Sequence, residues 1–240
     1  MHNTISAEFM KIQKNKIFLV CSIIVIASAA VIVIKDLFFI EPPDDYQSWI
    51  MNSYVVTTLI LGIMSGFVLT FLIQREYEDK TIINVLTAPT SRFRFLMSKL
   101  VIWFLWYAGV LLAIEVIYLI GGFLIYQGQF GFEGAKILVI SLTKSHMLRF
   151  IATIPLLWIA ILQKKIFYPS IMAALVFTGI EMTASNMPVQ AGIVIPWSAV
   201  PLVGIYDVPF PYNTIGIVSI ILTSIIGFAL SYTSFRMQDQ

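Results

Sequence analysis

Long apolar runs separated by short polar stretches set the pattern of this chain. The first extends from Ile17 to about Ile34. Others lie at about Asn52–Ile73, Leu100–Tyr126, Met147–Leu162, Tyr168–Ser185 and Thr214–Phe235. Most are near the roughly 20 residues that an α-helix needs to cross the hydrocarbon of a bilayer. A barrel strand would instead alternate apolar and polar positions over about ten residues. The pattern predicts an all-α membrane protein with six transmembrane helices, forming a single domain over residues 1–240. The fourth run is the shortest and carries Pro155. The stretch before it, "KILVISLTKSHMLR", reads either as an interfacial lead-in or as the outer part of one long tilted helix. "ASAA" at Ala27–Ala30 has the small residues of a signal-cleavage site. The apolar run continues past it through "VIVI", so the first run is expected to be a retained anchor.

Composition agrees. The chain is 59% hydrophobic and 12% charged, with a mean hydropathy of +0.89, against roughly 45–50% and about 25% in soluble domains. Its solvent must be lipid, where backbone polar groups need internal partners and helices supply them. A net charge of +2 gives no field aimed at nucleic acid. With the N-terminus inside, eleven of the fifteen basic residues are cytoplasmic: Lys11, Lys14, Lys16, Arg75, Lys80, Arg92, Arg94, Lys99, Lys164, Lys165 and Arg236. The positive-inside rule then predicts a multi-pass protein of the cell (plasma) membrane with both termini cytoplasmic.

That orientation places the most charged stretch, "QREYEDKTIINVLTAPTSRFRFLMSK", in the cytoplasm. Glu76, Glu78 and Asp79 sit where acids suit the positive end of a helix dipole. Ile82, Ile83, Val85 and Leu86 give the segment an apolar side. Pro89 ends it, and Thr90 or Ser91 can cap a following helix that runs through Lys99 into the third span. The expected object is a short amphipathic helix on the membrane surface. An apolar side with charges that set register is also what docking into a groove requires; an ordinary basic loop is the plainer reading. Ile5, Phe9 and Ile12 have helical spacing, so residues 1–16 read as an interfacial helix before the first span.

This stretch resembles the segment after span two in permeases of the type-2 ABC exporter family. Those carry a Glu, then a Thr, an apolar pair, "P-x-S-R", and a Lys leading into span three. The matching positions are Glu76 or Glu78, Thr81, Leu86, Pro89, Ser91, Arg92 and Lys99; Lys80 stands where the family has Gly. "AEFMKIQKNKIFLV" and the spacing of Pro196 and Pro201 are similar to the family as well. The resemblance implies that Arg75–Ala88 is the helix coupling the permease to an ATPase. Its contact residues would be Arg75, Glu76, Glu78, Asp79, Thr81, Ile82, Leu86, Pro89 and Arg92. It implies two copies of a separate ABC ATPase subunit holding ATP and Mg, and a second permease copy, identical or related. Spans two and five would line the path between permeases. This chain would then hold no catalytic residue and no cofactor, and its sequence contains no G-x-x-x-x-G-K-[ST] phosphate loop. The chain also resembles small permeases that export antimicrobial peptides and confer self-immunity to bacitracin or lantibiotics. That implies a peptide, amphipathic or lipid-like substrate.

Within the spans, Gly62 and Gly66 of "GIMSG" form a small-xxx-small motif for close helix packing, within the chain or against another copy. Glu115 and Glu181 are intramembrane carboxylates, costly and so candidates for the substrate path or for pairing between helices. Arg149 is expected to snorkel to the headgroups. Asn186–Asn213 is apolar yet carries five prolines, which predicts a broken or re-entrant element between spans five and six. Trp197, Tyr206 and Tyr212 fit an interfacial aromatic belt, and Trp197 joins the candidate path. Cys21 is the sole cysteine and His2 and His146 the sole histidines, so no metal site is expected. Two rival readings remain: a proton- or ion-coupled secondary transporter using Glu115 and Glu181, and a non-transporting sensor or assembly factor. An intramembrane enzyme has no nucleophile–base pair to support it.

Overall fold

The computed structural model describes residues 15–78, 92–164 and 166–237. Among the described residues all regular secondary structure is helical, with no strand. Helix α1 (Lys16–Phe38) begins at Asn15, whose side-chain oxygen accepts the Ile17 N–H at 2.9 Å, satisfying a donor that a helix start leaves open. Helix α2 (Tyr46–Glu78) has 33 residues. It starts after Asp45, which accepts from the Ser48 N–H and hydroxyl. Helix α3 (Arg92–Tyr126) is unbroken, so the helix expected to run through Lys99 into the third span does so from Arg92 onward. The interfacial helix expected over residues 1–16 lies outside the described residues, apart from Asn15 and Lys16.

The fourth apolar run is not one helix. Helices α4 (Gly131–Ala152) and α5 (Pro155–Gln163) meet at a bend of 41°. The lead-in is therefore helix, the first part of a long broken element. Pro155 explains the break, because it has no N–H to return to the Ile151 carbonyl. The hydroxyl of Ser224 donates to that carbonyl at 3.1 Å. One residue on, Leu156 N–H turns to Thr153 O, and the Ala152 carbonyl instead accepts the Trp197 indole N–H at 2.9 Å. A break at membrane depth survives when neighbours satisfy the freed carbonyls, as these two side chains do.

Helix α6 (Tyr168–Met182) follows, then a 3₁₀ turn at Ala184–Asn186, α7 (Val189–Gly192), α8 (Pro196–Gly204) and α9 (Tyr212–Met237). The proline-rich segment is thus a chain of short helices, α8 carrying Pro201 inside it. By length and apolarity α1, α2, α3 and α9 can each cross a membrane, and α4–α5 makes a fifth if the bent pair is one span. Helix α6 has 15 residues, about 22 Å at 1.5 Å per residue, short of a hydrocarbon core of about 30 Å. The sixth crossing expected from the sequence is therefore not established by length.

Helix α2 is the most enclosed of the long helices. It packs against α1, α3, α5 and α6, while α8 wedges against α4 and α9. Helices α1 and α9 turn Leu19, Ile23, Val31, Leu222, Ile225 and Ile226 outward, the apolar rim expected of lipid-facing spans.

Candidate functional site: a polar seam on the central helix

Tyr54, Thr58, Gly62, Gly66 and Thr70 recur every four residues along α2 and so share one face. That face meets α6. The Tyr54 hydroxyl donates to Glu181 Oε1 at 2.7 Å. A Cβ at Gly62 would overlap the Arg149 guanidinium and the Thr178 hydroxyl, and one at Gly66 would overlap the Ala174 side chain. Thr70 hydrogen-bonds Ser170. Positions ascend on α2 as they descend on α6, so the two helices run antiparallel. The glycines are there because a guanidinium and a neighbouring helix occupy the space.

At one end of this seam charges gather. Arg149, from α4, places Nη1 3.3 Å from Glu181 Oε2 and donates from Nη2 to Thr178 Oγ1 at 2.9 Å. Both charged side chains are 3% exposed. Arg149 therefore does not snorkel: it turns inward because a carboxylate and a glycine-made space receive it. His146, one turn before Arg149, stands edge-on to the Tyr54 ring with centroids 5.5 Å apart. Its Nδ1 lies 2.9 Å from the Leu142 carbonyl. A carbonyl only accepts, so Nδ1 carries the proton and Nε2 is an acceptor.

Glu115 lies elsewhere, buried on α3, and accepts the Thr143 hydroxyl of α4 at 2.6 Å. The two intramembrane carboxylates thus have different partners on different helix pairs. Trp197 is engaged twice over. Its ring stacks on Phe177, with centroids 3.8 Å apart, and its N–H caps Ala152.

The polar block after span two is seen at its two edges. Arg75, Glu76 and Glu78 are the last turn of α2, not part of a separate helix. Glu76 is buried and accepts Lys99 Nζ at 2.6 Å, both side chains being almost fully enclosed. This corrects the expectation of an exposed docking acid there: Glu76 is neutralised by the Lys of the next span. Glu78 is exposed. Arg92 donates to the Arg236 carbonyl at 2.8 Å, tying the start of α3 to the end of α9. Asp79, Thr81, Ile82, Leu86 and Pro89 lie outside the described residues. No group of three or more His, Cys, Asp or Glu that could hold a metal occurs among the described residues.

Sequence reasoning missed Tyr54, Thr178 and the Glu76–Lys99 pair. The four-residue recurrence of Tyr54, Thr58, Gly62, Gly66 and Thr70 was the available signal. An Arg inside an apolar run, which needs a counter-charge at that depth, was another.

A family profile described as "ABC-2 family transporter protein" matches residues 4–181, covering the seam from α1 to Glu181. The chain belongs to the ABC-2 transporter family. The chain is also similar to the bacitracin transport permease protein BCRB of Bacillus licheniformis, with 26% identity over 194 residues, 78% of this chain and 89% of that protein. No solved structure matches it. Members of the family are multi-pass membrane permeases, and the long apolar helices here agree with that.

Proposed function

We propose that this ABC-2 chain is the membrane-spanning permease subunit of an ATP-driven exporter, working with two ABC ATPase subunits and a second permease copy. The observation that carries the reading is the family match across 4–181, joined by the bacitracin permease relative. ATP and Mg belong to the partner, because this sequence has no phosphate loop of its own. The substrate is an antimicrobial peptide or an amphipathic, lipid-like compound, and the role is producer immunity or antibiotic resistance. In this reading α4–α5 is one broken span and α6 crosses with help from its flanking turns. That restores six spans, with both termini cytoplasmic in the cell membrane. The coupling contact falls on the segment after Glu78, with Glu78 and Asp79 as its charged edge and Glu76 withdrawn from it.

The test is a mild-detergent pull-down of the chain from its native membrane. A stoichiometric ATPase is expected, lost when Glu78 and Asp79 are both changed to Lys. Deletion of the chain should also increase susceptibility to a peptide antibiotic such as bacitracin. A folded chain that brings down no ATPase would refute the exporter reading. The carrier alternative is less favoured, since Glu115 and Glu181 both have hydrogen-bond partners inside the fold.

A further inference from the structure

A cavity of about 60 Å³ lies beside the charged end of the seam. Its floor is Tyr54, Thr58 and Glu181, all buried. Its rim includes Ser185 and Tyr206, both exposed, where α6 ends and the short-helix segment begins. Thr58 is 1% exposed, and its Oγ1, close to the Tyr54 hydroxyl, makes no hydrogen bond of ordinary geometry among the described residues. An orphan hydroxyl at a buried position has a cost that one water would remove. A water needs roughly 10–15 Å³ and two to four polar partners. The cavity exceeds that volume several times over. Thr58 Oγ1, the free lone pairs of Glu181 and the Tyr54 oxygen supply the partners. Apolar voids stay dry, but three of the walls here are polar.

We propose that this cavity is a water site, filled from the side of the membrane that carries Asp207, so that the Tyr54–Glu181–Arg149 cluster stands at the inner end of a hydrated vestibule. The ligand is water, held by Thr58, Tyr54 and Glu181. Hydration from one side also explains how an ion pair is kept at the end of a helix seam without complete loss of solvation. Resting on the permease reading, this vestibule is the mouth of the transport path on the Asp207 side. Trp197, placed in the path on sequence grounds, does not line it.

The experiment uses the full chain with Cys21→Ala, which removes the sole and buried cysteine. Single cysteines are then placed by Thr58→Cys, Val68→Cys, Asp207→Cys and Lys164→Cys. Val68 is fully buried on the same helix and is the dry control. Asp207 and Lys164 are exposed and report the two sides. Silver ion, close to water in size, is added to one side of sealed vesicles in nitrate buffer. Unreacted thiol is then counted with a fluorescent maleimide after denaturation. The expected result is that T58C is blocked at least a hundredfold faster than V68C, and from the same side as D207C. Reaction no faster than V68C, or reaction only from the K164C side, overturns the proposal. A second variant guards against a misfolded cysteine mutant. Thr58→Val should lower thermal stability if the hydroxyl holds a water; unchanged or raised stability would mean a dry hydroxyl and would also overturn it. Labelling reads the cavity whether or not the chain transports, so failure of the exporter reading leaves this test unaffected.

Discussion

Removing one partner of the Arg149–Glu181 pair tests the seam most directly. The Nη1–Oε2 distance is 3.3 Å, and both side chains are 3% exposed. Bulk water therefore screens little of the interaction, and a lone partner would be left as an uncompensated buried charge. Such a loss costs about 3–5 kcal/mol, whereas replacing both partners of a buried pair by apolar residues is often neutral or stabilising. Glu181→Gln keeps the shape and an acceptor for the Tyr54 hydroxyl but strands Arg149. Arg149→Met removes the counter-charge of Glu181, which keeps the Tyr54 bond and its place on the cavity floor. At roughly 2–4 °C per kcal/mol for a chain of this size, each single variant should melt about 6–20 °C below wild type. The double variant should recover most of that loss. The assay is thermal unfolding of a fluorescent fusion in mild detergent, followed by size-exclusion chromatography and analysed as a double-mutant cycle. Additive losses, with the double variant the least stable of the four, would refute the pairing.

Other predictions follow from the same geometry. Lys99→Met removes the cation bonded to Glu76 at the C-terminal end of α2 and should lower stability by up to about 3–5 kcal/mol in the same melt, with Glu76→Leu added to it restoring stability. Gly62→Ala forces a methyl into the Arg149 guanidinium and Thr178 hydroxyl; a loss of about 1–3 kcal/mol is expected, as for overpacking elsewhere, while Gly109→Ala, where the space is open, should be neutral or better. Trp197→Phe keeps the stack on Phe177 but removes the donor to Ala152, leaving a carbonyl at the α4–α5 break unsatisfied at a cost of about 1–3 kcal/mol. Glu115→Gln keeps an acceptor for Thr143 and should leave ATP-dependent export unchanged; abolished transport together with loss of proton dependence would favour the carrier reading instead.

The long helices were legible because a continuous apolar run of span length has few other solutions in lipid. The exact ends were not. Pro155 was visible in the fourth run, but the expected run Met147–Leu162 straddles the break it makes. The residues that make it tolerable, Ser224 and Trp197, come from distant parts of the chain. The site was legible as residue types and not as partners. Glu181 and Arg149 each read as an anomaly inside an apolar run, and only the register between α4 and α6 makes them a pair. Snorkelling was the wrong expectation for Arg149 because it treats the helix as alone in lipid, whereas Gly62 on α2 opens a place for the guanidinium. Glu76 was misjudged for a related reason. An acid in a polar block looks exposed until the Lys that follows the block is found to turn back to it.

One buried ion pair, Glu76–Lys99, sits at the C-terminal end of α2 and the other, Arg149–Glu181, lies against its N-terminal half between Tyr54 and Gly62, and their value does not lie in net stability. Apolar residues of similar size would hold the helices together at least as well. The difference is in how many arrangements each would allow. An apolar seam tolerates a slide of one helical turn, because one methyl contact replaces another. Here a slide of α2 along α6 by one turn, about 5.4 Å, moves Tyr54 off Glu181. In one direction it also drives Thr58 against the Arg149 guanidinium, and in the other Thr70 against Ala174, so only the observed register seats both glycines where space is needed. At the other end the Glu76–Lys99 bond, at 2.6 Å, fixes the rotation of α2 against α3 in the same way. A helix of 33 residues held by charges at its C-terminal end and along its N-terminal half has one low-energy placement. Any displacement large enough to matter must exchange these pairs for other partners or for water. The cavity floor beside Glu181 is where water is already within reach of that exchange, and so the Tyr54 end of α2 is where the helix is expected to release first.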